Sequence, residues 1–106
     1  MQILIVNFNL DGLSEEEFES SCDELAPAFA AVPGLASKVW LAERAEGIFG
    51  GMYTFESKEA VDDYLQSDLW AGVCATPGLV NISARRFGVL EGPTRVTRGL
   101  TQTAGV

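Results

Sequence analysis

An α+β fold with the element order β-α-β-β-α-β is predicted by three features of the sequence. An apolar strand opens the chain and a capped amphipathic helix follows it. Two strand patterns joined by RAEG come next, and a second capped helix leads into a last strand. This order is the split βαβ, ferredoxin-like arrangement, in which a four-stranded antiparallel sheet carries both helices on one face.

Residues 2–8, QILIVNF, are apolar at both alternating positions, the pattern of a strand covered on both sides. NLDG breaks it. Ser14 and Glu17 form a capping-box pattern, Leu13 is placed to staple against Phe18, and Glu15, Glu16 and Glu17 suit the positive end of a helix dipole. Phe18, Cys22, Leu25, Phe29 and Val32 then recur at spacings of four, three, four and three, one apolar stripe facing a core. Pro27 is expected to kink or end the regular helix, and Pro33–Gly34 to close it.

The next strand, 36–44, sets Val39 and Leu41 on one face and Lys38, Trp40 and Ala42 on the other. After the turn a strand covers 48–56. Ser57 caps a helix over 58–67 with Val61, Tyr64 and Leu65 inward, and SDLWAGVCA continues helically. TPG at 76–78 breaks the chain, and 79–90 is the last strand. Residues 1–91 thus form one domain, and 92–106 read as a polar tail, frayed or laid across a partner.

A sheet with helices on one side should be polar on the other. The first strand is not, because Ile3 and Ile5 oppose Leu4 and Val6. A chain of 106 residues has little left to cover that second face. The economical answer is a second copy packed sheet against sheet, a homodimer.

Composition narrows the chemistry. The formal charge of −8 disfavours nucleic acid and anionic membrane as partners. Two cysteines, no basic leader and no long apolar run predict a cytoplasmic protein with free thiols. There is no histidine, so the commonest general base and the usual haem and zinc ligand are both missing. No metal motif, phosphate loop or hydrolase triad is present, and neither metal nor cofactor is expected.

A few residues stand out against this background. Gly50 and Gly51 lie side by side inside a strand, where each glycine weakens it by roughly 0.5–1 kcal/mol. In a hairpin centred near Glu46, Trp40 pairs with Met52 and leans over Gly50, and a slip of one residue reverses its face. Either Trp40 fills the gap as a packing device, or the glycines open a pocket that Trp40 walls. Tyr53, on a face with Phe49 and Phe55, needs a hydrogen-bond partner if buried. Asn7 is an amide in an apolar strand, either bonded to a loop or aimed into a cavity as a donor. Arg85 and Arg86 share the last strand, where an inward guanidinium needs an anion, supplied by an acidic side chain or by a ligand.

PGL at 33–35, KVW at 38–40, GGMYTF at 50–55, EAVDDYL at 59–65 and FGVLEGPTRVT at 87–97 resemble the YdhR-like monooxygenase family over about residues 2–97. That family is part of the dimeric α/β-barrel superfamily, whose members include cofactor-free quinone-forming oxygenases, haem-degrading oxygenases, polyketide cyclases and small isomerases. Their pocket typically lies between sheet and helices. A histidine found near the end of the first strand in some relatives is Asn7 here.

The resemblance implies a small homodimeric, cofactor-independent monooxygenase acting on an apolar phenolic or polyketide-like substrate. Asn7, Trp40 and Arg85 are its expected donors and Tyr53 its proton carrier. Phe8, Gly50, Gly51, Phe55 and Trp70 shape the pocket. Two alternatives stay open: a cyclase or isomerase using the same anion stabilisation without O2, and a non-catalytic ligand-binding or stress-linked dimer.

Overall fold

In a computed structural model, which describes residues 1–100, four strands form one sheet in the order β2-β3-β1-β4. They are β1 (Gln2–Leu10), β2 (Leu35–Glu43), β3 (Ile48–Phe55) and β4 (Leu79–Gly88). All three pairings are antiparallel. The helices are α1 (Glu15–Ala30), α2 (Lys58–Leu65), α3 (Asp68–Ala75) and α4 (Glu91–Val96). The ferredoxin-like order is therefore present, with α3 and α4 added to it.

Each main helix starts where the sequence supplies an oxygen to its free N–H groups. Ser14 Oγ accepts from Glu17 N, and Glu17 Oε1 accepts from Ser14 N, both at 3.1 Å. These bonds also hold the exposed Glu17 carboxyl below its usual pKa. Ser57 Oγ accepts from Ala60 N at 3.1 Å.

Several expected boundaries shift. Pro27 does not end α1, which continues to Ala30. The helix expected over 58–67 stops at Leu65, because Ser67 donates to the Tyr64 carbonyl at 2.6 Å while its Oγ accepts from Trp70 N. One serine closes α2 and opens α3. The last strand ends at Gly88, and the first six residues after Leu90 form α4. The Met1 ammonium reaches Glu91 at 3.2 Å, and Leu100 is buried. Residues 101–106 of the expected tail lie outside the described residues.

Strand alternation sorts the two faces. Leu4, Val6 and Phe8 of β1 and Phe49, Tyr53 and Phe55 of β3 are buried under the helices with Phe29, Val61 and Tyr64. The opposite face carries Ile3, Ile5, Met52, Val39, Leu41 and Phe87, with Val39 and Phe87 exposed. Asn7, Ser83 and Arg85 share this face, and among the described residues its Ile3, Ile5, Leu41 and Met52 are half-buried.

The β2–β3 hairpin sets the site. Glu43 pairs with Ile48 across the four-residue turn 44–47, where Gly47 takes φ +67°. The hairpin centre therefore falls between Ala45 and Glu46 rather than on Glu46. This corrects the expected pairing by one residue: Trp40 lies opposite Gly51, and Val39 opposite Met52. Trp40 consequently shares its face with Lys38 and Tyr53, under the helices.

Candidate active site between helix α1 and the sheet

The two adjacent glycines have different tasks. At Gly50 a Cβ would fall on the Val6 carbonyl oxygen, so this position is a close approach of β1 and β3 backbones. At Gly51 a Cβ would meet side chains instead, Lys38 Cε at 2.8 Å and Tyr53 Cε1 at 3.2 Å. Gly50 serves strand packing, and Gly51 leaves room that the Lys38 side chain uses.

Above Gly51 lies a cavity of about 90 Å³ between α1, α3 and the sheet. Its lining is mainly apolar, with Val6, Phe8, Phe18 and Leu25 among the contributors. The polar groups are few: Ser21, Cys22, Lys38, Tyr53 and Thr76. Two open grooves of about 340 and 240 Å³ adjoin it along β2, and Trp40 lines all three spaces. The cavity is itself partly open; Trp40, 38% exposed, stands between it and the grooves together with Phe29 and Lys38 on one side and Phe18 and Cys22 on the other.

Lys38 is the unusual group. Its Nζ lies 3.4 Å from the Phe29 ring centroid, 3.5 Å from Trp40 and 4.6 Å from Tyr53. Ring faces attract an ammonium. Among the described residues it has no carboxylate within ion-pair distance. Burial withdraws water from the charged form and lowers its pKa to about 7, with Cys22 opposing weakly. Burial raises the Cys22 thiol in turn, and Lys38 partly offsets that shift.

Tyr53 and Tyr64 hold each other by a 3.0 Å bond between their hydroxyls. Burial pushes Tyr53 up to about 12 against the lowering effect of that bond, and it pushes Tyr64 up still further. Both phenols are neutral at physiological pH, so each has a proton to share. Trp70 stands against Tyr64 at 5.8 Å between ring centroids.

The structure brings together Phe8, Trp40, Gly50, Gly51 and Tyr53 at the cavity. Phe55 stacks behind Tyr53 at 5.9 Å, in the core rather than on the cavity wall. Trp70 likewise stands behind Tyr64 and does not line the cavity. Asn7 and Arg85 are placed elsewhere. Asn7 pairs with Gly50 and Ser83 and alternates against Val6 and Phe8, so it belongs to the open face. Its amide lies 3.5 Å from the Phe49 carbonyl. Arg85 pairs with Ile5 on that same face, its guanidinium 5.4 Å from the Phe87 ring. Arg86 faces the helices and is paired with Asp62 at 2.7 Å.

Sequence reasoning missed Lys38 and Tyr64 as site residues. Lys38 shares a strand face with Trp40 at a spacing of two, and that spacing was the available signal.

The profile of the family described as "Putative mono-oxygenase ydhR" matches residues 3–100. Among curated proteins none matches the sequence. Among solved structures, the haem-degrader MhuD of Mycobacterium tuberculosis, with two haems bound, superposes with a TM-score of 0.68 at 19% identity, covering 85% of this chain and 96% of its own. SnoaB of Streptomyces nogalater, a cofactor-independent oxygenase solved as a point mutant, gives 0.66 at 21% identity, covering 85% and 94%. Rv0793 of M. tuberculosis gives 0.69 at 15%, covering 85% and 95%. At these identities the likeness is one of fold.

Proposed function

Because the chain belongs to the ydhR mono-oxygenase family, we propose that it is a cofactor-independent monooxygenase of an apolar phenolic or polyketide-like substrate. The observation that carries this reading is the mainly apolar cavity over Gly51, with Trp40 and Tyr53 in its wall. Such a space desolvates a substrate anion and raises its readiness to give up an electron.

The reaction balances without an external reductant. The ionised substrate passes one electron to O2. Substrate radical and superoxide combine into a peroxide anion, which takes back the proton lost when the substrate ionised, and the hydroperoxide so formed loses water as the new carbonyl forms. One oxygen atom enters the product and the other leaves as water. In this reading Tyr53, relayed by Tyr64, donates a hydrogen bond to the substrate oxygen, and Trp40 orients the ring.

A cavity of about 90 Å³ is smaller than an aromatic ring needs; an engineered cavity of about 150 Å³ holds benzene. Movement of Trp40 would join it to the outer grooves and supply the space. Haem chemistry has less support, since the chain has no histidine to ligate iron. Asn7 and Arg85, across the sheet from the cavity, have no part in this reaction. Their face, with its row of apolar side chains, fits the contact of a homodimer.

Oxygen uptake with a panel of hydroxylated aromatics and enolic polyketide-like compounds tests the reading. The expected product is one oxygen atom heavier and two hydrogen atoms lighter than the substrate, with one O2 consumed. Turnover of the same compounds without O2 consumption would assign a cyclase or isomerase instead.

A further inference from the structure

The geometry points to Lys38 as the proton acceptor and counter-cation of this cavity, which makes its ligand a weak acid: a phenol or an enolisable 1,3-dicarbonyl. The inference rests on the cavity assigned above, but not on O2 chemistry.

Three independent features converge on this lysine. It is a lone cation at a mainly apolar cavity, with no carboxylate within ion-pair distance among the described residues. Three aromatic rings from α1, β2 and β3 hold its Nζ in place. Gly51 supplies the space into which its side chain lies. Lys38 is half-buried, and an ammonium partly withdrawn from water is favoured by an anion beside it. Here the anion has to come with the ligand.

The titratable groups around it are few. On α1 the thiol of Cys22 faces it, with Glu19 and Asp23 beyond that thiol. Glu19 is already held by Arg44 at 2.8 Å. On β3 the group is Tyr53, bonded to Tyr64 of α2. Burial brings the Lys38 amine to a pKa of about 7, so a large share is neutral near neutral pH, with a free lone pair. The step is a single transfer. The ligand's O–H or α-C–H bond breaks, its proton goes to Nζ, and the electron pair stays in the conjugated anion. The resulting ammonium gains both the anion and the three ring faces, so the ion pair is favoured over either charge alone.

The probe is 4-nitrophenol, whose phenolate absorbs in the visible, titrated under anaerobic conditions. Below the free phenol's own pKa, the protein is expected to bind it as phenolate, and Lys38→Met to weaken that binding at least tenfold. Lys38→Arg is expected to retain phenolate binding, while losing the pH dependence that an ionising amine imposes. Binding of the neutral phenol, no binding, or unchanged phenolate binding by Lys38→Met would overturn the inference. Should Lys38→Met fail to fold, the intact protein decides: ¹³C-dimethylated Lys38 should titrate near 7 by NMR and move upward with nitrophenol bound. An ordinary value near 10 would overturn it. Oxygen uptake is measured separately, so phenolate binding without uptake removes the oxygenase reading and leaves Lys38 in place.

Discussion

The hydroxyls of Tyr53 and Tyr64 lie 3.0 Å apart inside the core, and each is the other's hydrogen-bond partner. Both residues are nearly inaccessible, at 3% and 2% exposure. Removing one hydroxyl leaves the other buried without a partner, which costs about 1–3 kcal/mol, whereas removing both can be nearly neutral. Tyr64→Phe is therefore expected to lower stability more than the Tyr53→Phe/Tyr64→Phe double variant. A denaturant-melt double-mutant cycle reads the coupling. Additive losses would show that the bond contributes nothing. If Tyr53 donates to substrate, Tyr53→Phe lowers turnover as well.

Gly50 and Gly51 should respond to very different extents to the same methyl group. Gly50→Ala drives a Cβ into the Val6 carbonyl, and the two backbones must separate at a cost of about 3 kcal/mol. Gly51→Ala meets the Cε of Lys38, the far part of a flexible chain, so the fold is retained while the lysine shifts. Thermal melts would show the first variant strongly destabilised and the second only mildly. The second should lose nitrophenolate binding. Equal losses of stability would contradict the division of tasks.

The sign of the Lys38 shift fixes a pH dependence. Its folded pKa, about 7, lies below the ordinary lysine value, so between about 7 and about 10 the unfolded chain holds the extra proton. Stability then rises with pH across that window. Above about 10 the raised phenols of Tyr53 and Tyr64 act oppositely, since the unfolded chain loses their protons first. Lys38→Met is expected to melt several degrees higher at pH 7 and to lose the rise. Parallel melting curves for the two proteins from pH 6 to 10 would refute the assignment of a half-buried lysine with a lowered pKa.

Trp40 lines the cavity and both grooves. Trp40→Ala should join them, so two-ring phenols such as 2-naphthol bind several-fold more tightly while phenol, losing a wall, binds less tightly. Calorimetric titration of the pair gives the ratio. A uniform loss for both ligands would mean that Trp40 is a contact and not a partition.

The apolar open face predicts a dimer. Ile5 and Met52 are register partners at its middle, and Ile5→Glu should turn a sedimenting dimer into a monomer. A wild-type monomer at micromolar concentration would leave that face without an explanation.

The element order was legible because caps, stripes and turns are local signals: Ser14 with Glu17, the Phe18–Val32 stripe, and RAEG between two strands. The sheet's two apolar faces were legible for the same reason. The site was only partly so. Trp40's face depended on one residue of hairpin register, set by where the turn closes, and a pattern that alternates every two residues cannot tolerate that uncertainty. Asn7 and Arg85 were polar residues in apolar strands, and chemistry was inferred from their type and from the family resemblance; alternation places them across the sheet from Trp40. Lys38 was overlooked because a lysine in a strand ordinarily marks a solvated edge. Its environment comes from Phe29 on α1, Trp40 two residues on and Tyr53 across the ladder, a conjunction that only tertiary packing creates.

Lys38 and Trp40 both ride on β2, which within one chain is hydrogen-bonded to a neighbour along one margin only. Freeing such a strand severs one ladder, where freeing an inner strand severs two. If the proposed ligand enters past Trp40 by a local opening of this edge, only the β2–β3 ladder has to break, and Lys38 would move with it. Amide hydrogens of β2 should exchange ahead of those of β1 and slow when a guest is held. Entry and chemistry would then share one moving part.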